Sequence, residues 1–158
     1  MKPLIVLLVT FAISLLYMKL SRQKVNYIAA GNVAMASMMF FTSIGHFMYL
    51  QGMSNMLPLW VPARQLIIIV TGIVEIAAGI GLLINRTRIT AGRLLILFFI
   101  LVLPANIYAA IHFVNFETGK ADGPGPSYLW FRVPLQLVFI LWVYFFAVRK
   151  NADKDARL

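Results

Sequence analysis

Five long apolar runs alternate with short polar segments along the chain. They cover residues 4–20, 28–50, 65–84, 94–112 and 130–148. Each is about 17–23 residues long, the length that a helix needs to cross a hydrocarbon core of about 30 Å. Because backbone polar groups find no water in lipid, each run must be helical. The pattern therefore predicts an all-α membrane protein, a four-helix transmembrane bundle plus an additional N-terminal transmembrane helix, in one domain over residues 1–158.

The first run also resembles a secretory signal peptide, because Lys2 supplies a basic start before the apolar stretch. A signal peptide would end in a small-residue cleavage site of the A-x-A type. The run instead continues as MKLSRQK from Met18 onward. We therefore expect the first helix to be retained, and the other four helices would keep their orientation in either case.

Basic residues are unevenly divided between the two sets of loops. Of the 14 Lys and Arg residues, ten lie on one side of the predicted membrane and four on the other. The positive-inside rule places the ten in the cytoplasm, so the N-terminus is predicted outside and the C-terminus inside, with a basic cytoplasmic tail at 149–158. We expect a multi-pass protein of a bacterial plasma (inner) membrane. The ten residues are Lys19, Arg22, Lys24, Arg86, Arg88, Arg93, Arg149, Lys150, Lys154 and Arg157.

Composition agrees with a membrane location and narrows the chemistry. The chain is 61% hydrophobic and 12% charged, whereas about a quarter of the residues in a soluble domain are charged. It contains no cysteine, which excludes disulfides, thiolate nucleophiles and Cys-ligated metals. The net charge of +9 comes from loops that set the orientation, so no nucleic-acid partner is predicted.

Glu75 is the only carboxylate inside a long apolar run, and it lies near the middle of the third run. A lone acid at that depth is costly unless it is paired, protonated or in contact with water. Glu75 shares a helical face with Gly72 and Gly79, at spacings i, i+3 and i+7. We expect the two glycines to allow close helix approach or to leave space beside the acid.

The other polar residues of the predicted spans collect in the outer half of the membrane. At a rise of 1.5 Å per residue, Asn106 and Gln136 lie about 5 Å outside the midpoints of their helices. By the same estimate His46 and Arg132 lie about 10 Å outside. Two interpretations of Glu75 stay open. It is either a structural residue that pairs with Arg132 or bonds to Asn106, or a ligand-binding or proton-exchanging residue.

Two further features complete the outer side. The apolar segment 51–64 is expected to lie at the membrane interface, with Trp60 at headgroup depth. The Gly- and Pro-rich segment 113–129 predicts an ordered turn or a mobile cap.

No metal site is predicted, because His46 and Glu75 differ by about 10 Å in estimated depth and no spacing of the H-x-x-x-H kind occurs.

Six segments read, in order, SIGHFMYL, MLPLWVPAR, TGIVEIAAGIGLLI, RTRITAGRL, PANIYAAIH and WFRVPLQLVFILW. Together they resemble the DoxX-like family of small integral membrane proteins over residues 28–148. The resemblance implies four membrane helices and a link to membrane oxidoreductase assemblies, since the family is named for its likeness to a subunit of a thiosulfate:quinone oxidoreductase. Carried over by motif, the candidate ligand-binding residues are His46, Trp60, Glu75, Asn106, Arg132 and Gln136.

Three functions are compatible with these positions. The first is a non-catalytic or redox-associated subunit that binds a quinone or similar lipophilic small molecule in an outer-half polar pocket, with Glu75 supplying or accepting a proton. The second is a structural or assembly partner within a larger membrane complex. The third is a small-solute transporter, which is disfavoured because the chain shows no internal repeat. A homodimer is compatible with all three, and no catalytic residue is assigned.

Overall fold

The computed structural model describes residues 2–22 and 24–149. Within these ranges every regular element is helical, and five helices are long and apolar enough to cross a membrane. The all-α prediction is thereby confirmed, as is the prediction of five helices long and apolar enough to cross a membrane. The elements are α1 (Lys2–Leu20), α2 (Tyr27–Met48), α3 (Leu50–Ser54), α4 (Arg64–Leu83), α5 (Arg88–Ile111), a 3-10 turn (Pro126–Tyr128), α6 (Leu129–Val143) and a π-helical segment (Tyr144–Arg149).

The helix ends depart from the predicted runs where polar residues continue a helix. α5 begins at Arg88, well before the predicted start at residue 94, because backbone hydrogen bonding does not stop where the apolar run stops. The predicted span 28–50 is interrupted at Tyr49, and α3 then carries helical structure on to Ser54. Of the predicted basic tail, residues 150–158 lie outside the described residues.

α2 is the central helix of the fold. It packs against α1 and α4, and it also contacts α6 and the π-helical segment. Its buried apolar positions are alanine and methionine, which let neighbouring helices come close while flexible thioethers fill the remaining gaps. These positions are Ala30, Ala34, Met35, Ala36, Met38 and Met39.

α1 is attached to the rest of the molecule through few side chains. Leu7 is its buried residue and belongs to the same apolar core as Leu82 and Val143. Phe11 packs edge-on against Trp142, with 5.0 Å between the ring centroids. The side chains on its other faces are largely exposed, which in a membrane means exposed to lipid.

One end of the molecule, called the basic end, is formed by segments 21–22, 24–26 and 84–87 together with the π-helical segment. There the buried Asn32 side chain of α2 donates a hydrogen bond to the Phe146 carbonyl at 3.0 Å. This bond fixes the start of α2 against the π-helical segment.

The opposite end, called the capped end, is formed by segments 49–63 and 112–128. The Asn55 amide donates to the Gly119 carbonyl at 3.0 Å. Gly52 of α3 lies directly against the backbone of the second segment, where a Cβ would collide. The Gly- and Pro-rich segment is therefore a turn that packs on α3.

Candidate functional site

One face of α4 packs against α2 and holds Glu75 there. Gly72, Glu75 and Gly79 are all buried, in agreement with their predicted common face. A Cβ at Gly72 would lie 3.0 Å from the Cβ of His46, and one at Gly79 would lie 3.0 Å from the Phe40 ring. The two glycines therefore allow α2 to approach closely and seat the acid against it.

Glu75 meets His46 across this interface. Oε1 of Glu75 lies 3.5 Å from His46 Nε2, and the two side chains are only 7% and 14% exposed. The other ring nitrogen of His46, Nδ1, lies 3.1 Å from the Ile68 carbonyl oxygen and 3.1 Å from the Thr71 hydroxyl oxygen. The imidazole thus connects α2 to two successive turns of α4.

The atoms around His46 determine which ring nitrogen carries a proton. A carbonyl oxygen can only accept, and the Thr71 hydroxyl already donates to the Ile68 carbonyl at 2.8 Å, so Nδ1 is assigned as the donor. His46 Nε2 then faces Glu75 Oε1. One proton between these atoms, on Nε2 in an imidazolium–carboxylate pair or on Oε1 in a neutral pair, would leave the pair without net charge. A pair without net charge lowers the cost of burial in a membrane.

The second carboxyl oxygen of Glu75, Oε2, is left over. It is buried and has no hydrogen-bond partner among the described residues. A buried polar atom without a partner costs about 1–3 kcal/mol and requires an explanation in a native fold. In both one-proton arrangements Oε2 is an acceptor, so the site presents an unpaired hydrogen-bond acceptor on an ionisable group.

This contact corrects the predicted surroundings of Glu75. A depth difference of about 10 Å from His46 was expected, and the structural interpretation named Arg132 or Asn106 as the partner. The estimate was wrong because it centred all helices at one level. The approach of Gly72 to His46 places the middle of α4 beside the last turns of α2, and α3 then runs on along the start of α4. An apolar run indicates the length of a helix but not its offset from its neighbours.

A second buried polar pair lies between α5 and α6. The Asn106 amide donates to Gln136 Oε1 at 3.4 Å, and the Gln136 amide donates to the backbone carbonyl of Phe99. Pro104 lies inside α5 and has no N–H, so the backbone ladder of this part of the helix is interrupted. Side chains of neighbouring helices commonly compensate such a break in a membrane. Asn106 Oδ1 is also buried without a partner among the described residues.

The two other candidate residues make different contacts. The Arg132 guanidinium lies over the Tyr128 ring, 5.9 Å from its centroid. Trp60 is 82% exposed on the segment expected at the interface. Of the six candidates, the structure therefore brings four together, in two separate pairs.

A groove of about 560 Å³ opens at the capped end, beside the start of α4. Two of the residues that line it, Gln51 and Gln65, are hydrogen-bonded to each other at 2.8 Å. Gln65 precedes Ile68 by three residues, so the groove begins about one helical turn from the carbonyl that binds His46. The lining residues are Gln51, Ser54, Leu59, Val61, Ala63, Arg64, Gln65 and Leu66.

The sequence analysis did not identify Thr71, which contacts His46, or Gln65, which lines the groove. Thr71 lies four residues before Glu75, a spacing that puts both on neighbouring positions of one helix surface. The spacing of Thr71 and Glu75 could be recognised in the sequence, whereas their contact with His46 on α2 could not. Within residues 2–22 and 24–149, no three His, Asp or Glu side chains cluster in a way that could hold a metal ion. The chemistry of the site is that of one imidazole and one carboxyl group.

The fold and the site together define a multi-pass membrane protein with a buried histidine–carboxylate pair. The family model described as Domain of unknown function (DUF8561) matches residues 35–147. This is more than two thirds of the chain, and the protein belongs to that family. The matched range begins inside α2 and includes both buried polar pairs, while α1 precedes it. No curated protein and no solved structure matches the chain.

Proposed function

We propose that this protein is a DoxX-like, non-catalytic or redox-associated membrane subunit that binds a quinone or similar lipophilic small molecule beside Glu75. The buried His46–Glu75 pair with its open Oε2 atom is the observation that carries the proposal. Ionisable residues inside membrane spans are costly and commonly mark ligand or proton sites. The sequence resemblance to the DoxX-like family supports a quinone as the ligand class.

A lipophilic ligand fits the surroundings of the pair. α4 exposes Val70, Ile73 and Val74 on the side of the helix turned away from α2, so the bilayer-facing surface of the helix that carries the acid is hydrocarbon. An apolar tail would lie in hydrocarbon of this kind, and a polar atom of the ring, inserted between α2 and α4, would meet Oε2. The proton shared between His46 and Glu75 would then be available for exchange with the bound ring.

The orientation belongs to the same proposal. The N-terminus lies outside and the C-terminus inside a bacterial plasma (inner) membrane, and α2, α4, α5 and α6 form a four-helix bundle to which α1 is added. The basic residues of the basic end, among them Arg22, Arg86 and Arg149, support this orientation through the positive-inside rule. The capped end then faces outward, and its groove gives water and protons an approach toward the His46 side of the pair.

Native mass spectrometry of the protein, extracted gently from its own membrane, tests the proposal. We expect a bound molecule of quinone size in the wild type and its loss in Glu75→Met, which keeps the side-chain length but removes the carboxyl group. Ser43→Ala is the matched control, because Ser43 is equally buried on α2 and bonds the Phe40 carbonyl of its own helix at 2.8 Å. Retention of the molecule in Glu75→Met would contradict the proposal.

The same spectra separate the alternatives. A stoichiometric protein partner without any small molecule, unchanged in Glu75→Met, would favour a structural or assembly role. Uptake of a solute into proteoliposomes that depends on Glu75 would favour a transporter instead.

A further inference from the structure

Around the His46–Glu75 pair, the atom left without a hydrogen-bond partner among the described residues is an acceptor. Nδ1 of His46 is occupied by the Ile68 carbonyl and the Thr71 hydroxyl, and Nε2 faces Glu75. What remains is Glu75 Oε2, buried and unpaired among the described residues. A ligand that satisfies this atom must bring a hydrogen-bond donor to it.

The charge of the site determines what kind of donor fits. With one proton between Nε2 and Oε1, the His46–Glu75 pair has no net charge in either arrangement. An ammonium group bound to Oε2 would leave a net positive charge buried among hydrocarbon, which is strongly unfavourable. A neutral hydroxyl group adds a donor without adding charge.

The two redox forms of a quinone differ in this property. The oxidised form presents carbonyl oxygens, which only accept, so it would face Oε2 acceptor to acceptor. To donate to it, the shared proton would have to move from the His46 contact to Oε2, which would leave Nε2 and Oε1 without a proton between them. The hydroquinone form presents hydroxyl groups and donates to Oε2 while the pair keeps its proton.

We infer that Glu75 Oε2 accepts a hydrogen bond from a hydroquinone hydroxyl, so that the protein binds the reduced form in preference to the oxidised form. This inference rests on the proposed function and specifies its ligand. A single additional hydrogen bond to a buried acceptor corresponds to a preference of about tenfold or more in Kd.

The test is titration calorimetry on the full chain in phosphatidylcholine nanodiscs under anaerobic conditions. The probes are a decyl-substituted 1,4-benzohydroquinone and the corresponding benzoquinone, and empty nanodiscs correct for partition into lipid. We expect the hydroquinone to bind at least about tenfold more tightly. Glu75→Met should reduce the ratio of the two Kd values to near one, and Ser43→Ala should leave it unchanged.

Glu75→Gln tests whether an acceptor oxygen at this position is sufficient or a carboxyl group is required. Its amide N–H can donate to His46 Nε2 while its carbonyl oxygen stays available, so a weaker preference for the hydroquinone should persist. Wild-type ratios near one, or tighter binding of the quinone, would overturn this inference and leave the proposed function standing. If neither probe binds, the proposed function falls as well. An unchanged ratio in Glu75→Met would overturn the assignment to Oε2.

Discussion

The two buried polar pairs differ in what removal of one partner leaves behind. Between α2 and α4, loss of His46 leaves a carboxyl group that must either be charged or take up a proton. Between α5 and α6, loss of Gln136 leaves only neutral groups, the Asn106 amide and a backbone carbonyl. Both pairs keep one acceptor atom without a partner among the described residues, but the atom on Glu75 belongs to an ionisable group. Burial of polar atoms in a membrane helix is therefore a weak sign of function unless the group also titrates.

The local backbone separates the pairs further. Glu75 lies between two glycines on a regular helix, and nothing in α4 requires a side chain to repair its hydrogen bonding. Gln136 bonds to the Phe99 carbonyl of a helix that contains Pro104, next to the Ile100 carbonyl whose backbone donor the proline removes. The α5–α6 pair thus lies beside a break in the backbone hydrogen bonding, whereas the α2–α4 pair does not.

The largest expected effect comes from removing one partner of the α2–α4 pair. His46→Leu should lower the free energy of unfolding by about 3 kcal/mol, because it leaves Glu75 buried without its partner. Reversible unfolding in mixed detergent micelles measures this loss. The double variant His46→Leu/Glu75→Met should recover most of it. If the double variant is less stable than His46→Leu alone, the two residues do not form a coupled pair.

Crowding the α2–α4 interface should have the next largest effect. Gly79→Leu should cost about 2 kcal/mol by overpacking, since even a Cβ at this position lies 3.0 Å from the Phe40 ring and 3.4 Å from the Ala36 carbonyl oxygen. The same unfolding assay measures it, with the exposed neighbour Ile80→Leu as the control. Equal stability of the two variants would mean that α2 does not pack against this face of α4.

The α5–α6 pair is expected to matter for stability but not for binding. Gln136→Leu should cost about 1–2 kcal/mol, because the Phe99 carbonyl and the Asn106 amide lose their partner. The hydroquinone-to-quinone ratio of Kd values should stay at its wild-type value. Val138→Leu, on an exposed part of α6, is the matched control. A ratio that falls in Gln136→Leu would show that both pairs belong to one ligand site.

The smallest effect is expected at the capped end. Lys2 and Glu117 form an ion pair at 3.0 Å, but both side chains are substantially exposed, and such pairs contribute little. Lys2→Ala should therefore leave both the unfolding transition and the Kd ratio unchanged. A clear loss of stability would mean that the N-terminus of α1 is held through this contact rather than through Leu7 and Phe11.

The features that could be predicted from the sequence are those that depend on a single helix at a time. Apolar run length identified the five spans, and helical periodicity placed Gly72, Glu75 and Gly79 on one face. The partner of Glu75 was not predictable, because it depends on the offset between α2 and α4. That offset follows from the short helix α3 and from the contacts of the two glycines, neither of which changes the hydropathy pattern. Arg132, which the structural interpretation paired with Glu75, instead lies over the Tyr128 ring.

The central position of α2 has a consequence for biogenesis. Its many small and weakly apolar side chains, which suit it to a crowded interior, make it the least hydropathic of the five spans. A segment of that kind partitions poorly into lipid by itself when it leaves the translocon. α1 is synthesised before α2 and is more apolar, so it would provide a helix already in the bilayer for α2 to insert against. On this view α1 acts as an insertion partner for the helix that carries His46.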